Sequence, residues 1–313
     1  MTISLREIED EGESLLQLHY GYGVTIVDGQ DNPENNGLWL SYQLKEVGIY
    51  DGKSLVLDPS DKPDTTTPGV NGYTFRAQIT EVDDDSIGGL EIHKTVGLAN
   101  AENAFRGETT VYAGGRLYAL ADNVLGQAEG KHTSALNLAE GAHYELNGYS
   151  QTIGSLFVGK DGYVNLEATS YGGSEEKYGE LTIENGGIAT SDNALRGTGH
   201  ITLESGVFEV GGDNANLGGT VTIGAPGIET ASLDAGDGDA SETKDFVAIA
   251  VIHDSNGLGS SDIVFADKTS LLYMDNVKSV EESAVFDNRL KGEGTVRADA
   301  TDVIVTGDNT GFT

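Results

Sequence analysis

The chain contains no cysteine, so it has no disulfide framework, no thiolate nucleophile and no cysteine metal site. This is compatible with export through a compartment where stray disulfides would obstruct threading. Proline is scarce, 5 in 313 residues, and tryptophan occurs once. Cations are few as well: 18 Lys and Arg stand against 51 Asp and Glu, a formal charge of -33. Each phosphate contact needs a Lys or Arg, so nucleic acid is excluded as a partner and anionic lipid headgroups are repelled. The longest apolar run, Phe246 to Ile252, is seven residues, far short of the roughly 20 needed to cross a bilayer as a helix. The opening decapeptide, Met1 to Asp10, has neither the basic start nor the apolar centre of a signal peptide. Apolar spacing of three and four is rarely sustained, so helix is excluded as the main element.

Glycine is abundant instead, 44 residues, about twice ordinary usage. Short apolar-polar-apolar triplets alternate with clusters of Gly, Asn, Asp and Ser, the pattern of strands and tight turns. Leu55-Val56-Leu57, Leu136-Asn137-Leu138, Val164-Asn165-Leu166 and Val303-Ile304-Val305 are examples. Their spacing carries more than their composition. Leu181-Thr182-Ile183, Ile201-Thr202-Leu203 and Val221-Thr222-Ile223 follow one another at equal intervals, starting at positions 181, 201 and 221. A turn marker agrees: Asp192-Asn193 and Asp213-Asn214 are separated by the same interval, one position longer, as Asp287-Asn288 and Asp308-Asn309. The stretch 192–201 also matches 287–296, keeping identity or type at seven of ten positions.

A period near 20 with two or three short strands per unit reads as a β-solenoid, in which each turn of the chain is a rung stacked in parallel on the last. The outer members of each triplet face inward and the middle residue faces solvent. Gly supplies positive φ at corners, Asn and Asp bond nearby backbone, and stacked Asn side chains are expected to form ladders. At this period the chain would hold about 15 rungs and extend about 70 Å. Loops at 58–69, 169–178 and 229–245 are expected to leave the coil and shorten it. Residues 1–36 read as N-terminal rungs or a flanking segment and 37–313 as the coil. Both ends look cut, which predicts a piece of a longer rod.

Catalytic and metal motifs are mostly missing. Gly48-Ile49-Tyr50-Asp51-Gly52-Lys53-Ser54 has three residues between its glycines where a phosphate loop has four. None of His19, His93, His132, His143, His200 and His253 has a zinc-ligand spacing, which predicts surface or turn positions. No nucleophile elbow occurs. Asp83-Asp84-Asp85 and Asp234 to Asp239 could supply paired carboxylates for glycan cleavage, but with 51 acids solvated loops are the first expectation. Asp234, Asp237 and Asp239 could alternatively offer oxygens to calcium; no cofactor is expected. Thirteen tyrosines, among them Tyr20, Tyr22, Tyr42, Tyr50, Tyr112, Tyr118, Tyr144 and Tyr149, suit both strands and contact surfaces.

Three segments resemble the passenger domains of bacterial autotransporter adhesins of the self-associating and diffuse-adherence type. Ala135 to Leu156, with its Leu146-Asn147-Gly148 and Gln151-Thr152-Ile153-Gly154-Ser155-Leu156, is similar to that family's repeat. Phe105 to Leu117 resembles its companion unit, and Gly37 to Leu44 a segment near the front of the repetitive part. The resemblance implies a right-handed parallel β-helix, secretion through a C-terminal β-barrel outside this chain, and a bacterial surface role in adhesion, autoaggregation and biofilm formation. The expectation is therefore an all-β parallel β-helix acting as a non-catalytic adhesin that binds copies of itself on neighbouring cells. A binder of a host matrix protein or glycan is the alternative, and a polysaccharide-processing enzyme the third reading.

Overall fold

The computed structural model describes residues 3–10, 13–27, 37–59, 72–127, 130–167, 178–225, 246–278, 284–299 and 302–313. Among these there is no α-helix and there are 28 strands. A ten-stranded parallel sheet forms face one, running Ser54–Leu57, Gly89–Ile92, Thr109–Val111, Ala135–Leu138, Ser155–Val158, Gly187–Ala189, Gly206–Val210, Ala248–Asp254, Ser270–Lys278 and Thr295–Asp299. A twelve-stranded parallel sheet supplies the rest of each rung. Its early strands, Tyr73–Phe75, Thr95–Leu98, Arg116–Ala119, His143–Glu145 and Tyr163–Asn165, make face two. Its later strands, from Ser150–Ile153 and Gly179–Ile183 to Leu290–Gly292, make face three. Leu195–Leu203 contributes to both, with Gly197 at φ 82° between the two paired stretches. The chain is thus a parallel β-solenoid.

The three evenly spaced triplets are one ladder. Leu181, Ile201 and Val221 pair in register, as do Thr182, Thr202 and Thr222. Outer triplet members are buried and the central threonines are half-exposed, as strand alternation requires. Ile263-Val264-Phe265 extends the ladder, pairing with Val221-Thr222-Ile223 across an interval twice as long. Inside, like stacks on like: Leu55 on Leu90, Leu136 on Leu156, Ile92 on Val111 and Val111 on Leu138, nearly all without solvent contact. Each such side chain contributes about 1.5–3 kcal/mol, but only when the next rung covers it.

The expected count of 15 rungs is too high. Face one has ten strands, and nine steps at the usual strand spacing give about 43 Å. The reason is unequal rung length. Leu136 meets Leu156, Leu156 meets Gly187, and Phe208 meets Ala250, so the second of these turns is half as long again as the first, and the third is twice as long. The predicted loops at 60–69, 169–177 and 229–245 lie outside the described residues. The first three strands are also not rungs: Ile3–Asp10, Glu13–Val27 and Gly37–Ile49 pair antiparallel, and only Glu46 to Ile49 join the coil, parallel to Gln78–Glu81.

The turn markers divide into two kinds. Asn193 adopts the left-handed conformation at φ 55° and accepts from Asn216 Nδ2 at 2.6 Å, while Asp192 accepts from Asp213 N at 3.0 Å. Asp213 and Asp308 each accept from the N–H two residues on, and Asp287 is exposed. Asn214 is fully buried: its Oδ1 accepts from Leu195 N at 2.9 Å and its Nδ2 donates to Gly257 O at 2.9 Å, one contact on each adjoining rung. Asn103 clamps Ile79 N and Val124 O in the same way. Asn309 accepts from Leu290 N, and buried Asn288 donates to Gly259 O and Ser261 O. These amides therefore bond to backbone rather than stack as an Asn ladder, because burial gives a corner N–H or C=O no water partner. Gly219 marks another close approach: φ is +94° and a Cβ there would lie 2.1 Å from Gly199 O.

Removing the Asn214 clamp leaves a donor and an acceptor buried without partners. Asn214→Ala should cost about 2–4 kcal/mol, read as a lowered urea midpoint, while Asn216→Ala, on the exposed side of the same turn, should cost under about 0.5 kcal/mol. Equal losses would show that the buried clamp carries no special share of rung stacking.

Candidate functional site

The carboxylates singled out in the sequence are held by structure. Asp83 Oδ1 accepts from Ser86 N at 2.9 Å, Ser86 Oγ at 2.8 Å and Asp85 N at 3.2 Å. The Ser86 hydrogen bonds hold its pKa below the ordinary carboxylate range. Asp84 pairs with Lys131 Nζ at 3.0 Å. They border a cleft of about 660 Å³ lined by Glu46, Glu81, Asp83, Asp84, Glu102 and Lys131. The deepest carboxylate is Glu81, whose side chain has no exposure. It accepts from Arg106 N at 2.8 Å and Arg106 Nε at 3.0 Å, with Lys131 Nζ at 3.8 Å. Arg106 also donates to Asp84 O and Ser86 O, which pins the 83–88 turn. Here the acids organise a loop. Asp234, Asp237 and Asp239 lie outside the described residues, and among the described residues no group of three His, Asp or Glu side chains is arranged to hold a metal.

Histidines find acids that no local spacing reveals. His132 Nε2 lies 3.1 Å from Glu184 Oε2, and His253 Nε2 lies 3.1 Å from Glu209 Oε1 with Asp275 Oδ2 at 3.6 Å from its Nδ1. Tyr112 stacks on His93 at 4.1 Å. Tyr144, in contrast, is wholly buried in the core and its hydroxyl has no partner, so it is not a contact residue.

Face two holds the densest polar constellation. Strand register places Arg116, His143 and Tyr163 in one outward column, and Tyr118, Glu145, Asn165 and Arg196 in the next. His143 stacks on Tyr163 with ring centroids 3.8 Å apart, and the Arg196 guanidinium carbon lies 3.2 Å from the Tyr163 centroid. Buried Glu145 fixes the group, accepting from Tyr163 Oη at 2.8 Å and Asn165 Nδ2 at 2.8 Å. Burial and then that hydrogen bond push the Tyr163 phenol up to about 12. Burial, then the Arg116 charge, push His143 down, which favours its neutral ring. Arg116 is exposed.

Several arginines elsewhere are matched by acids. Arg106, Arg289 and Arg297 each sit on a carboxylate, and hydrogen bonds from Arg289 and Lys291 hold Asp262 at about 2. Among the described residues, Arg116 and Arg196 have no carboxylate oxygen within 4.0 Å. Two unmatched guanidinium groups on one face of a chain with charge -33 form a local exception to its electrostatics.

No family model matches the chain, and no solved structure matches it. It is 30% identical over 321 residues to the uncharacterized lipoprotein YdeK of Escherichia coli K12, covering 99% of this chain and 20% of that protein. It is 28% identical over 211 residues to the uncharacterized protein YuaQ of the same organism, covering 67% of this chain and 13% of that protein. The chain therefore spans a fifth or less of the length of these relatives.

Because Tyr163 titrates near 12 when folded and near 10 when unfolded, its contribution to stability is complete below pH about 10 and is lost as pH rises toward 12. Tyr163→Phe should therefore lower the urea midpoint most at neutral pH and reduce its fall across that interval, so that the two proteins converge toward pH 12. An unchanged alkaline slope would contradict the buried hydrogen bond to Glu145.

Proposed function

We propose that the chain is part of a non-catalytic adhesin of the bacterial cell surface, whose rods associate side by side with copies of themselves on neighbouring cells. The observation that carries this reading is an apolar window on the outer side of face one. The outward positions Asn137, Phe157 and Ile188 follow one another on successive rungs, and Val207 stands diagonal to Ile188. Phe157, Ile188 and Val207 are 40%, 43% and 41% exposed. Glu91 and Glu209 bound the same column. Two chains of charge -33 repel each other over most of their surfaces, so a patch whose exposed side chains are largely apolar is where copies can meet at least cost.

Three side chains per copy would contribute only a few kcal/mol on burial, comparable to the roughly 4–15 kcal/mol that association costs in lost freedom. A pair of rods would hold weakly, and a field of rods strongly, through multivalency. The resemblance to self-associating passenger domains supports the same reading, and the relative named as a lipoprotein supports a place in the cell envelope. Asp83 and Asp84, the carboxylates within reach of a glycan-cleaving role, are occupied by a turn and an ion pair, which favours a binding role over catalysis.

Cells displaying the protein should clump with each other and leave bare cells unrecruited. Phe157→Asp with Ile188→Asp, both on the outer side of the sheet, should slow clumping at least about 10-fold, since each places a charge in the contact. Clumping should also strengthen as salt shortens the screening length from about 30 Å at 0.01 M to about 8 Å at 0.15 M. Recruitment of bare cells, or clumping indifferent to both the substitutions and salt, would refute self-association through this window.

A further inference from the structure

We propose that face two binds an acidic saccharide, a sugar chain bearing carboxylate or sulfate groups, between Arg116 and Arg196. The site is separate from the window on face one and does not depend on self-association.

Four observations lead to it. First, among the described residues neither arginine has a carboxylate oxygen within 4.0 Å, although the chain carries 51 acids. Second, Arg196 is held in place: its guanidinium carbon lies 3.2 Å from the Tyr163 ring centroid and its Nε donates weakly to Asn193 O at 3.4 Å. A stacked guanidinium is partly desolvated and gives up less freedom on binding, and its fork matches carboxylate and sulfate oxygens. Third, the one acid among these outward positions, Glu145, has both oxygens occupied by Tyr163 and Asn165, so it acts on Arg116 only through its charge and takes up none of the arginine N–H groups. Fourth, His143 Nδ1 is buried and has no hydrogen-bond partner.

Spacing selects the ligand class. Arg116 and Arg196 stand on strands three ladder steps apart, about 14 Å between backbones. Between and beside them lie Thr95, Tyr118, Asn165 and the flat floor of Gly97, groups that exchange hydrogen bonds with hydroxyls. That arrangement suits a polyhydroxylic chain with anionic groups at wide intervals. A dense polyanion fits poorly: duplex DNA places one charge per about 1.7 Å, and most of those charges would face a strongly acidic chain with no cation to meet them.

The test uses the purified chain at physiological ionic strength, where charges beyond about 8 Å are screened. Calorimetry would compare a galacturonate hexasaccharide, a κ-carrageenan-derived hexasaccharide, which carries sulfate alone at one group per disaccharide, neutral maltohexaose and a hexaglutamate peptide. At least one acidic sugar should bind, and which one does assigns carboxylate or sulfate. Maltohexaose and hexaglutamate should bind at least about 10-fold more weakly. Arg116→Gln, at an exposed position, should weaken binding about 10-fold, and Arg116→Gln with Arg196→Gln about 100-fold. Arg289→Gln, whose guanidinium is occupied by Asp262, should bind as the parent does. Melting temperatures would confirm that each variant is folded; should the double variant unfold, the Arg116→Gln result decides alone. Absence of binding to both acidic sugars, equal binding of maltohexaose or hexaglutamate, or undiminished binding by Arg116→Gln would each overturn the proposal.

Discussion

In-register parallel pairing between rungs is the constraint on which everything else depends. One rung has two open edges and a single layer of apolar side chains, so neither its backbone nor its core is satisfied until another rung lies on each side. Strand positions must then return to the same place on every turn. Corners need not. This is why the interval between paired positions on face one can double, from the turn joining Leu136 to Leu156 to the turn joining Phe208 to Ala250, while the pairing stays in register. The buried amides of Asn103 and Asn214 answer the difficulty this creates, since a corner pressed between two neighbours carries N–H and C=O groups that water cannot reach.

The same constraint builds surfaces from residues that are distant in sequence. An outward column collects one residue from each rung, so its character is decided by positions a full turn of the coil apart. Face one collects Asn137, Phe157 and Ile188 and becomes apolar. Face two collects Arg116, His143 and Tyr163 and becomes cationic and aromatic. Each lies above the same kind of core, so the two faces vary without disturbing the stack that supports them.

Short-range regularity was readable and long-range assembly was not. The triplets at 181, 201 and 221 revealed the coil and its register, because equal rungs repeat visibly. Ile263-Val264-Phe265 belongs to the same ladder but follows a doubled interval, and an assumption of uniform period overcounts the rungs. The antiparallel pairing of Glu13–Val27 with Gly37–Ile49 is invisible for a different reason: alternation shows that a strand has a buried side, not which way its partner runs. The Asp-Asn dipeptides look equivalent, yet Asn193 turns outward in a left-handed corner and Asn214 is sealed between rungs, because burial depends on what the neighbouring rung places there. Arg116, His143, Tyr163 and Arg196 follow one another at three different intervals, and no single period aligns them. Their signal was present only as an anomaly, arginine in a chain where cations are few.

Net charge describes such a molecule poorly at contact distance. In physiological salt charges farther than about 8 Å are largely screened, so the total of -33 is felt only in part, and a partner at contact meets the side chains of one or two columns. The exclusion of nucleic acid follows from the total, since a long dense polyanion samples many columns at once. An expectation that acidic sugars are excluded does not follow, because a sparse chain can be read by one column pair alone. Variable rung lengths make such pairs available: each insertion changes which residues share a column while the ladder beneath remains continuous. Local surface chemistry is thereby freed from average composition, and an acidic rod can carry an apolar window on one face and two arginines without a salt-bridge partner among the described residues on another.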